Sequence, residues 1–389
     1  GSMLLQRDAV GHCLPYPSYP RNEPVEGADI RLTLDADIQS ICHEAVKKQV
    51  AETGALAGSA VVLDAGTGAV LAIADFPTYD PARRRRGDTA YFQSAAVCDE
   101  FEPGSSFKPV IGLAALESPL ARPLTARMYD ASAGEIEVSG RKIKDAHKLG
   151  ILDFDGLFVH SSNVGCAMLS MAVDPERFYL LARALGFDNP VGIELPGEAK
   201  GHIDRPEKLN RLRLANNAFG QGLTVTLLQL AAAYNCIAND GLYVKPYLVE
   251  SIELRGRKLC CSERTEVRRA VGQETAQRMK DILARVVTEG TGELAAIEGV
   301  SVCGKTGTAQ KVIPGVGYSQ TASMMSFIGF FPREKTRYVV AVLIDEPTKF
   351  RFASAAACPV FREIGEELLL LEQMRERQGS VTEIAGDMP

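Results

Sequence analysis

No stretch of this 389-residue chain reaches the roughly 18 consecutive apolar residues that a membrane helix requires. The nearest approach, Leu223 to Ala238, is broken by Thr224, Thr226, Gln229 and Asn235 and reads as a buried helix of a soluble fold. A basic excess is also missing: the net charge is −6, which argues against a general nucleic-acid binder. The one basic run, Arg83 to Arg86, lies between Pro81 and Gly87 and reads as a solvated loop tip. The nine cysteines are odd in number, contain no CxxC and lack histidine partners at metal-ligand spacing. Most are therefore expected to be small buried apolar residues rather than a disulfide or metal framework. The five histidines, His12, His43, His147, His160 and His202, form neither a metal-ligand pair nor a triad, and His147 is expected to be structural. No internal repeat is visible. What remains, 46% hydrophobic and 24% charged residues, is the make-up of an ordinary folded protein with a large core.

Residues up to about Pro24 are rich in Pro, Tyr and Arg and show no periodicity. Ile30 to Leu34 alternates like a strand, and from Asp37 apolar residues recur at helical spacing until Gly54. Ser59–Leu63 and Ala69–Ile73 read as two strands joined by the turn Asp64-Ala-Gly-Thr-Gly68. From Ser105 to about Gly241 the pattern is mostly helical. Within it, Thr226-Leu-Leu-Gln229 forms a capping box for a helix stopping at Gly241. An amphipathic helix is expected over Gln273–Glu289, strands near Val300 and over Met324–Phe331 and Tyr338–Ile344, and a last helix after Pro359. Strands at both ends with helices between predict one α+β domain whose sheet is closed by N- and C-terminal segments.

Three short motifs carry chemistry. Ser105-Ser-Phe-Lys108 places a hydroxyl and an amine at i and i+3, on one face of a helix that starts beside Pro103-Gly104. A neutral lysine there could take the serine proton, and the helix start offers free amides and positive potential to an oxyanion. Ser161-Ser-Asn163 supplies a second hydroxyl, suited to proton relay, and an amide suited to a substrate carbonyl. Lys305-Thr306-Gly307-Thr308 follows an apolar strand pattern. Its glycine suggests close approach of a ligand or another backbone, and its ammonium would attract a carboxylate while disfavouring charge on a neighbouring Lys108. Each motif alone is unremarkable.

In this order, SxxK, SxN and KTG form the motif set of the penicillin-recognising serine enzymes. The resemblance covers roughly residues 28 to 370. GSAVVLDAGTGAVLAIADFPTYDP, FEPGSSFKP, SSNVG, AFGQGLTVTLLQLAAAY, EGTG and GKTGTAQK are similar to class B penicillin-binding proteins. Glu102-Pro103-Gly104 is closer to their division or sporulation type than to the elongation type. The resemblance implies a mainly antiparallel central sheet flanked by helices with a helical subdomain, spanning residues 28–374. Residues 1–27 would then be an expression scar (Gly1-Ser2-Met3) with the remnant of an N-terminal pedestal or linker, and 375–389 a frayed tail.

It further implies a peptidoglycan D,D-transpeptidase without cofactor or metal, acting on stem peptides ending in D-Ala-D-Ala and acylated by β-lactams. Ser105 would be the nucleophile, Lys108 the general base, Ser161 a proton relay and Asn163 a positioning donor. Lys305, Thr306, Gly307 and Thr308 would hold the donor carboxylate, and the amides of Ser105 and Thr308 would form the oxyanion hole. A SEDS-family glycosyltransferase and other division proteins are the implied partners. The implied location is the extracytoplasmic face of a bacterial membrane, with anchoring by an N-terminal helix. Departures from the family pattern are Phe350 to Cys358, where a Tyr/Gly-rich wall is usual, Cys303 in place of Ala, and Leu227 in place of Pro. The alternatives are a D,D-carboxypeptidase or β-lactamase-like hydrolase of the same fold, for which Glu194 and Glu198 are the candidate water-activating residues, or a non-catalytic β-lactam sensor or scaffold.

Overall fold

A computed structural model describes residues 2–14, 20–83, 87–313, 315 and 317–386. Arg84, Arg85 and Arg86, most of the basic run, lie outside the described residues. The chain divides into two compact units, residues 1–32 with 249–262, and residues 33–248 with 263–389. All three motifs fall in the second unit.

In the smaller unit, the strand predicted from Ile30 spans Asp29–Leu32 and pairs antiparallel with Val249–Leu254, which pairs in turn with Arg257–Cys261. Arg31 meets Glu250 at 3.0 Å across this sheet. The strand was expected to open the main fold; instead it belongs to this separate three-stranded sheet. Its residues are exposed, so alternation marked an amphipathic strand without identifying its partner.

The larger unit begins with α1, Ala36–Thr53. Asp35 caps it, its carboxylate accepting from the amides of Asp37 at 3.0 Å and Ile38 at 3.2 Å, and Gly54 ends it in the left-handed conformation. Strands β1, Ala57–Asp64, and β2, Val70–Phe76, follow as the predicted hairpin. The Asp64 carboxylate holds the turn by accepting from the Thr67 amide at 2.7 Å and hydroxyl at 2.8 Å. Helices α2, Lys108–Leu116, α3, Asn163–Ser170, α4, Leu227–Ala238, and α5, Gln273–Glu289, fill the middle of the chain. Strands β3, Cys303–Ile313, β4, Gly317–Phe331, and β5, Tyr338–Asp345, then join the first hairpin, and α6 runs Cys358–Gly386. The last helix therefore continues past Met374, and Arg375 on it pairs with Asp35 and Asp37 at α1.

The five strands form one antiparallel sheet in the order β3-β4-β5-β1-β2, so N- and C-terminal segments close it, as expected. Both faces are covered. Val61, Leu63, Ile328, Phe330 and Val339 pack into the core of α2, α4 and α5, while Ala60, Val62, Phe327, Phe331 and Val340 face α1 and α6. Burial on both sides is why GSAVVLD and YVVAVLI read as continuous apolar runs. Two details differ from the sequence reading. Val300 makes only an isolated bridge to Ile297, and the strand starts at Cys303. The middle region also contains a hairpin, Glu135–Val138 with Arg141–Lys144, turned at Ser139 and Gly140 with φ of 51° and 77°. Those left-handed residues are the signature of a two-residue hairpin turn, which outweighs the helical character of the surrounding sequence.

All nine cysteines are free; Cys42, Cys166, Cys236, Cys303 and Cys358 are buried, and Cys13, Cys260 and Cys261 are exposed. Among the described residues no helix is long and apolar enough to cross a membrane.

Candidate active site

The nucleophile candidate sits where backbones crowd. Residues Gly104–Phe107 form a 3-10 turn that leads directly into α2, whose first turn tolerates Pro109. Because i and i+3 eclipse in a 3-10 turn, Ser105 and Lys108 share one side of it. Gly104 has φ of 56°, and a Cβ there would lie 2.7 Å from the Thr308 carbonyl oxygen. From the opposite side, a Cβ on Gly307 would lie 2.4 Å from Ser326 Oγ and 2.7 Å from the Pro103 carbonyl oxygen. The two glycines are what allow strand β3 to lie against the serine turn.

Ser105 is half-buried and lines the cleft, and among the described residues its hydroxyl makes no hydrogen bond. Ser106 is fully buried, its hydroxyl donating to the Pro103 carbonyl at 2.8 Å. Tyr234 on α4 donates its hydroxyl to the Ser106 carbonyl at 2.7 Å and fixes the turn from below.

Two lysines converge on the second motif. Lys108 and Lys305 are each 0% exposed. Lys108 Nζ donates to the Ser161 carbonyl at 2.5 Å and to Ser161 Oγ at 3.1 Å, and Lys305 Nζ donates to the same Oγ at 3.0 Å. Lys305 also reaches the Thr306 carbonyl at 3.3 Å and the Thr291 hydroxyl at 3.4 Å, and the hydroxyls of Thr291 and Thr306 lie 2.7 Å apart. Ser161 occupies the sharp link before α3 with φ of 59°, a left-handed conformation that a non-glycine residue adopts only when its surroundings impose it.

Asp145, at the end of the 135–144 hairpin, contributes to that constraint. Its carboxylate accepts from the Ser162 hydroxyl at 2.8 Å, the Val164 amide at 3.0 Å and the Asn163 amide. Asn163 Nδ2 donates to the Lys144 carbonyl at 2.9 Å, which leaves its second N–H and its oxygen for a ligand.

A cleft of about 360 Å³ opens over these groups. Of the residues expected at the site, Ser105, Ser161, Asn163, Thr306 and Thr308 line it. Lys108 and Lys305 lie buried behind Ser161, and Gly307 packs against the serine turn. The remaining wall comes from Asp145, Ala146, His147, Leu149, His160, Thr291, Phe352, Ala353 and Ser354. The Thr308 hydroxyl accepts from the Ala353 amide at 3.2 Å, tying the strand to the segment where the sequence departs from the family pattern. His147 stands on the cleft surface with its ring centroid 6.1 Å from that of Phe352. Sequence reasoning did not select Asp145, His160 or Thr291. Lys144-Asp-Ala-His and EGTG were the available signals for the first and third. Glu194 and Glu198 do not line the cleft: Glu194 accepts from the Leu248 amide, and Glu198 from the amides of Val191 and Gly192.

Burial pulls the Lys108 amine down to about 8, against the opposing influence of Cys166 and Asp145. Burial, and then the charge of Lys108, hold Lys305 well below the ordinary lysine value. Desolvation thus outweighs lysine–lysine repulsion as the cause at Lys108, where the sequence suggested repulsion. With a value near 8, roughly a tenth of Lys108 is neutral at pH 7. An amine of this kind can accept a proton through Ser161, and the hydroxyl of Ser105 is free to attack an acyl group placed in the cleft.

A free serine at a helix start, backed by a depressed lysine and a glycine-bearing edge strand, defines a site equipped for acyl transfer. The family model described as penicillin binding protein transpeptidase domain matches residues 58–366. The chain belongs to that family. It is 36% identical to the penicillin-binding protein PbpB of Mycolicibacterium smegmatis, over 95% of this chain and 58% of the relative. It is 33% identical to the probable peptidoglycan D,D-transpeptidase PenA of Neisseria gonorrhoeae, over 94% of this chain and 61% of the relative. The chain therefore spans about three fifths of these relatives' length. Penicillin-binding protein 3 of Mycobacterium tuberculosis in complex with aztreonam superposes with a TM-score of 0.83 at 34% identity, covering 94% of this chain and 87% of that one. The apo transpeptidase domain of Burkholderia pseudomallei penicillin-binding protein 3 gives 0.75 at 31%, covering 87% and 96%.

Proposed function

We propose that the chain is a peptidoglycan D,D-transpeptidase that crosslinks stem peptides through an acyl-enzyme on Ser105. The observation that carries this reading is Ser161 Oγ held between the buried amines of Lys108 and Lys305, in the same cleft that the unbonded hydroxyl of Ser105 lines. Ser105 Oγ attacks the penultimate D-Ala carbonyl of the donor stem while Lys108 takes its proton. The tetrahedral intermediate places its oxyanion at the amides of Ser105 and Thr308. Collapse breaks the peptide bond, and the terminal D-Ala nitrogen receives a proton by way of Ser161. An amine of a second stem then attacks the acyl-enzyme and restores Ser105. Thr306, Thr308 and Lys305 receive the donor carboxylate, Gly307 keeps the strand close to the nucleophile, and Asn163 orients the donor backbone.

β-Lactams acylate the same hydroxyl because they present a carbonyl and a carboxylate at similar spacing. The relatives named as D,D-transpeptidases and the aztreonam complex of a 34%-identical neighbour support this reading. The extracytoplasmic location fits a cell-wall transpeptidase; the N-terminal anchor and the SEDS-family and division partners are part of the same proposal and rest on the resemblance to class B penicillin-binding proteins alone. A hydrolytic enzyme would need a base for deacylating water, and the hydrogen bonds that the carboxylates of Glu194 and Glu198 accept from backbone amides hold both candidates away from the cleft.

Labelled penicillin tests the proposal. The protein is expected to become covalently labelled and to keep the label for far longer than a β-lactamase would, whereas Ser105→Ala is expected to take up none. Release within seconds, or labelling of the alanine variant, overturns it.

A further inference from the structure

Asp145 belongs to none of the three motifs, yet its one carboxylate receives three donors from the second motif, Ser162 Oγ and the amides of Asn163 and Val164. Ser162 Oγ in turn accepts from the Gly165 amide at 2.8 Å, so the start of α3 is wired to this side chain. We propose that Asp145 is a positioning residue for the acyl-transfer site. Its carboxylate fixes the left-handed Ser161 link and Asn163, and it places a negative charge next to the Ser161 carbonyl that Lys108 holds. The inference rests on the acyl-transfer reading above.

The two amines lie in a buried group drawn from several elements. Lys108 enters from the serine turn, Lys305 from β3, Cys166 from α3 and Cys358 from the start of α6. Burial pushes the thiols of Cys166 and Cys358 up to about 11 and about 12, so both are neutral at physiological pH. Among the groups acting on Lys108, Asp145 is therefore the anion, and it favours the ammonium form. Two uncompensated ammonium groups in a dry site would repel and pay full desolvation; one carboxylate allows one of them to keep its proton. The anion acts on Lys108, the amine proposed as base, and so helps set the pH at which that base becomes available.

Asp145→Asn and Asp145→Ala separate the two roles. The asparagine keeps an oxygen for both amides and removes the charge; the alanine removes the contact altogether. The readout is the rate of acylation by labelled benzylpenicillin from about pH 6 to about pH 9.5, with folding checked by far-UV melting. In the wild type the rate rises as Lys108 loses its proton. In D145N that rise is expected to move to lower pH, because the ammonium has lost its counter-charge. In D145A the rate is expected to fall about 100-fold, the cost of a displacement of about 1 Å at a reacting group, with partial recovery in D145N. A purely structural residue would leave the pH profile in place. Should D145A fail to fold, Ser162→Ala replaces it, removing the bond to Asp145 and the one from the Gly165 amide but no charge; its rate is expected to drop with the profile unmoved. The inference is overturned if the D145N profile coincides with that of the wild type, or if neither D145A nor S162A slows acylation. Ser105→Ala keeps the two readings apart. Labelling of that variant defeats the proposed function, while a silent variant with an unmoved D145N profile defeats only the role of Asp145.

Discussion

Ser105 and Ser106 are adjacent and chemically identical, and their surroundings give them opposite roles. Ser106 spends its hydroxyl on the Pro103 carbonyl and closes the turn, while Ser105 keeps its own free in the cleft. The same division of cost and use holds for Lys108. Its amine falls from 10.5 to about 8 on burial, so the folded state binds fewer protons than the unfolded chain between those values. Stability is therefore lowest below about pH 8 and recovers as pH rises toward the unfolded value. Lys108→Met is accordingly expected to abolish penicillin labelling while melting at or above the wild-type temperature at pH 7, with the advantage shrinking toward pH 10. Thermal melts of both proteins across pH check the sign; a methionine variant that gains relative stability as pH rises contradicts it. Gly307→Ala acts through space alone. Its methyl would stand 2.4 Å from Ser326 Oγ and 2.7 Å from the Pro103 carbonyl, so β3 must move away from the serine turn. Overpacking of this kind costs about 1–3 kcal/mol, and acylation is expected to fall about 100-fold with the label still on Ser105.

At the scale of elements, the capping box at Thr226 shows which parts of the fold are legible locally. The Thr226 hydroxyl accepts from the Gln229 amide at 3.1 Å, and the Gln229 side chain returns a bond to the Thr226 amide at 2.9 Å. Gln229 also donates to the carbonyls of Asn189 and Lys200, both at 2.8 Å, and so anchors a distant loop to the start of α4. Thr226→Ala is expected to cost about 1–2 kcal/mol, read as a shift of the denaturant midpoint. The helices at Ala36 and Gln273 and the β1–β2 hairpin were equally readable, because cap, turn and periodicity lie within a few residues of one another. Elements defined by distant partners were not. The strand at Ile30 alternates correctly but joins Val249–Leu254, and nothing in its own residues points there. The site divides along the same line. The serine–lysine spacing follows from one turn, whereas the meeting of Lys108 and Lys305 on Ser161 could be expected only through resemblance to a family. Asp145 was invisible as a clamp, because its three donors become neighbours only after the 135–144 hairpin has formed.

At the scale of the whole larger unit, the sheet carries the site on one edge strand and its two cores on its faces. Among the described residues β3 is the edge of the sheet, the position at which strand addition by an extended peptide is geometrically open, and the serine turn and α3 close the cleft around it. Strand β4, beside it, is held from behind by a group of aromatic rings. Phe361 on α6 meets Phe327 edge-on with centroids 4.7 Å apart and Phe331 at 5.7 Å, and all three are 0% exposed. Phe327 and Phe331 lie on β4, where Phe327 pairs with Thr306 of β3, so the packing of α6 reaches β3 through one ladder contact. Phe361→Ala removes a ring from a closed core and is expected to cost about 3–5 kcal/mol. If the sheet transmits this loosening to β3, acylation slows together with the loss of stability, although residue 361 does not line the cleft. Denaturant unfolding and penicillin acylation measured on the same variant decide between the two outcomes. A variant that loses stability but acylates at the wild-type rate would show that the serine turn and α3 hold β3 in place without help from the rear core.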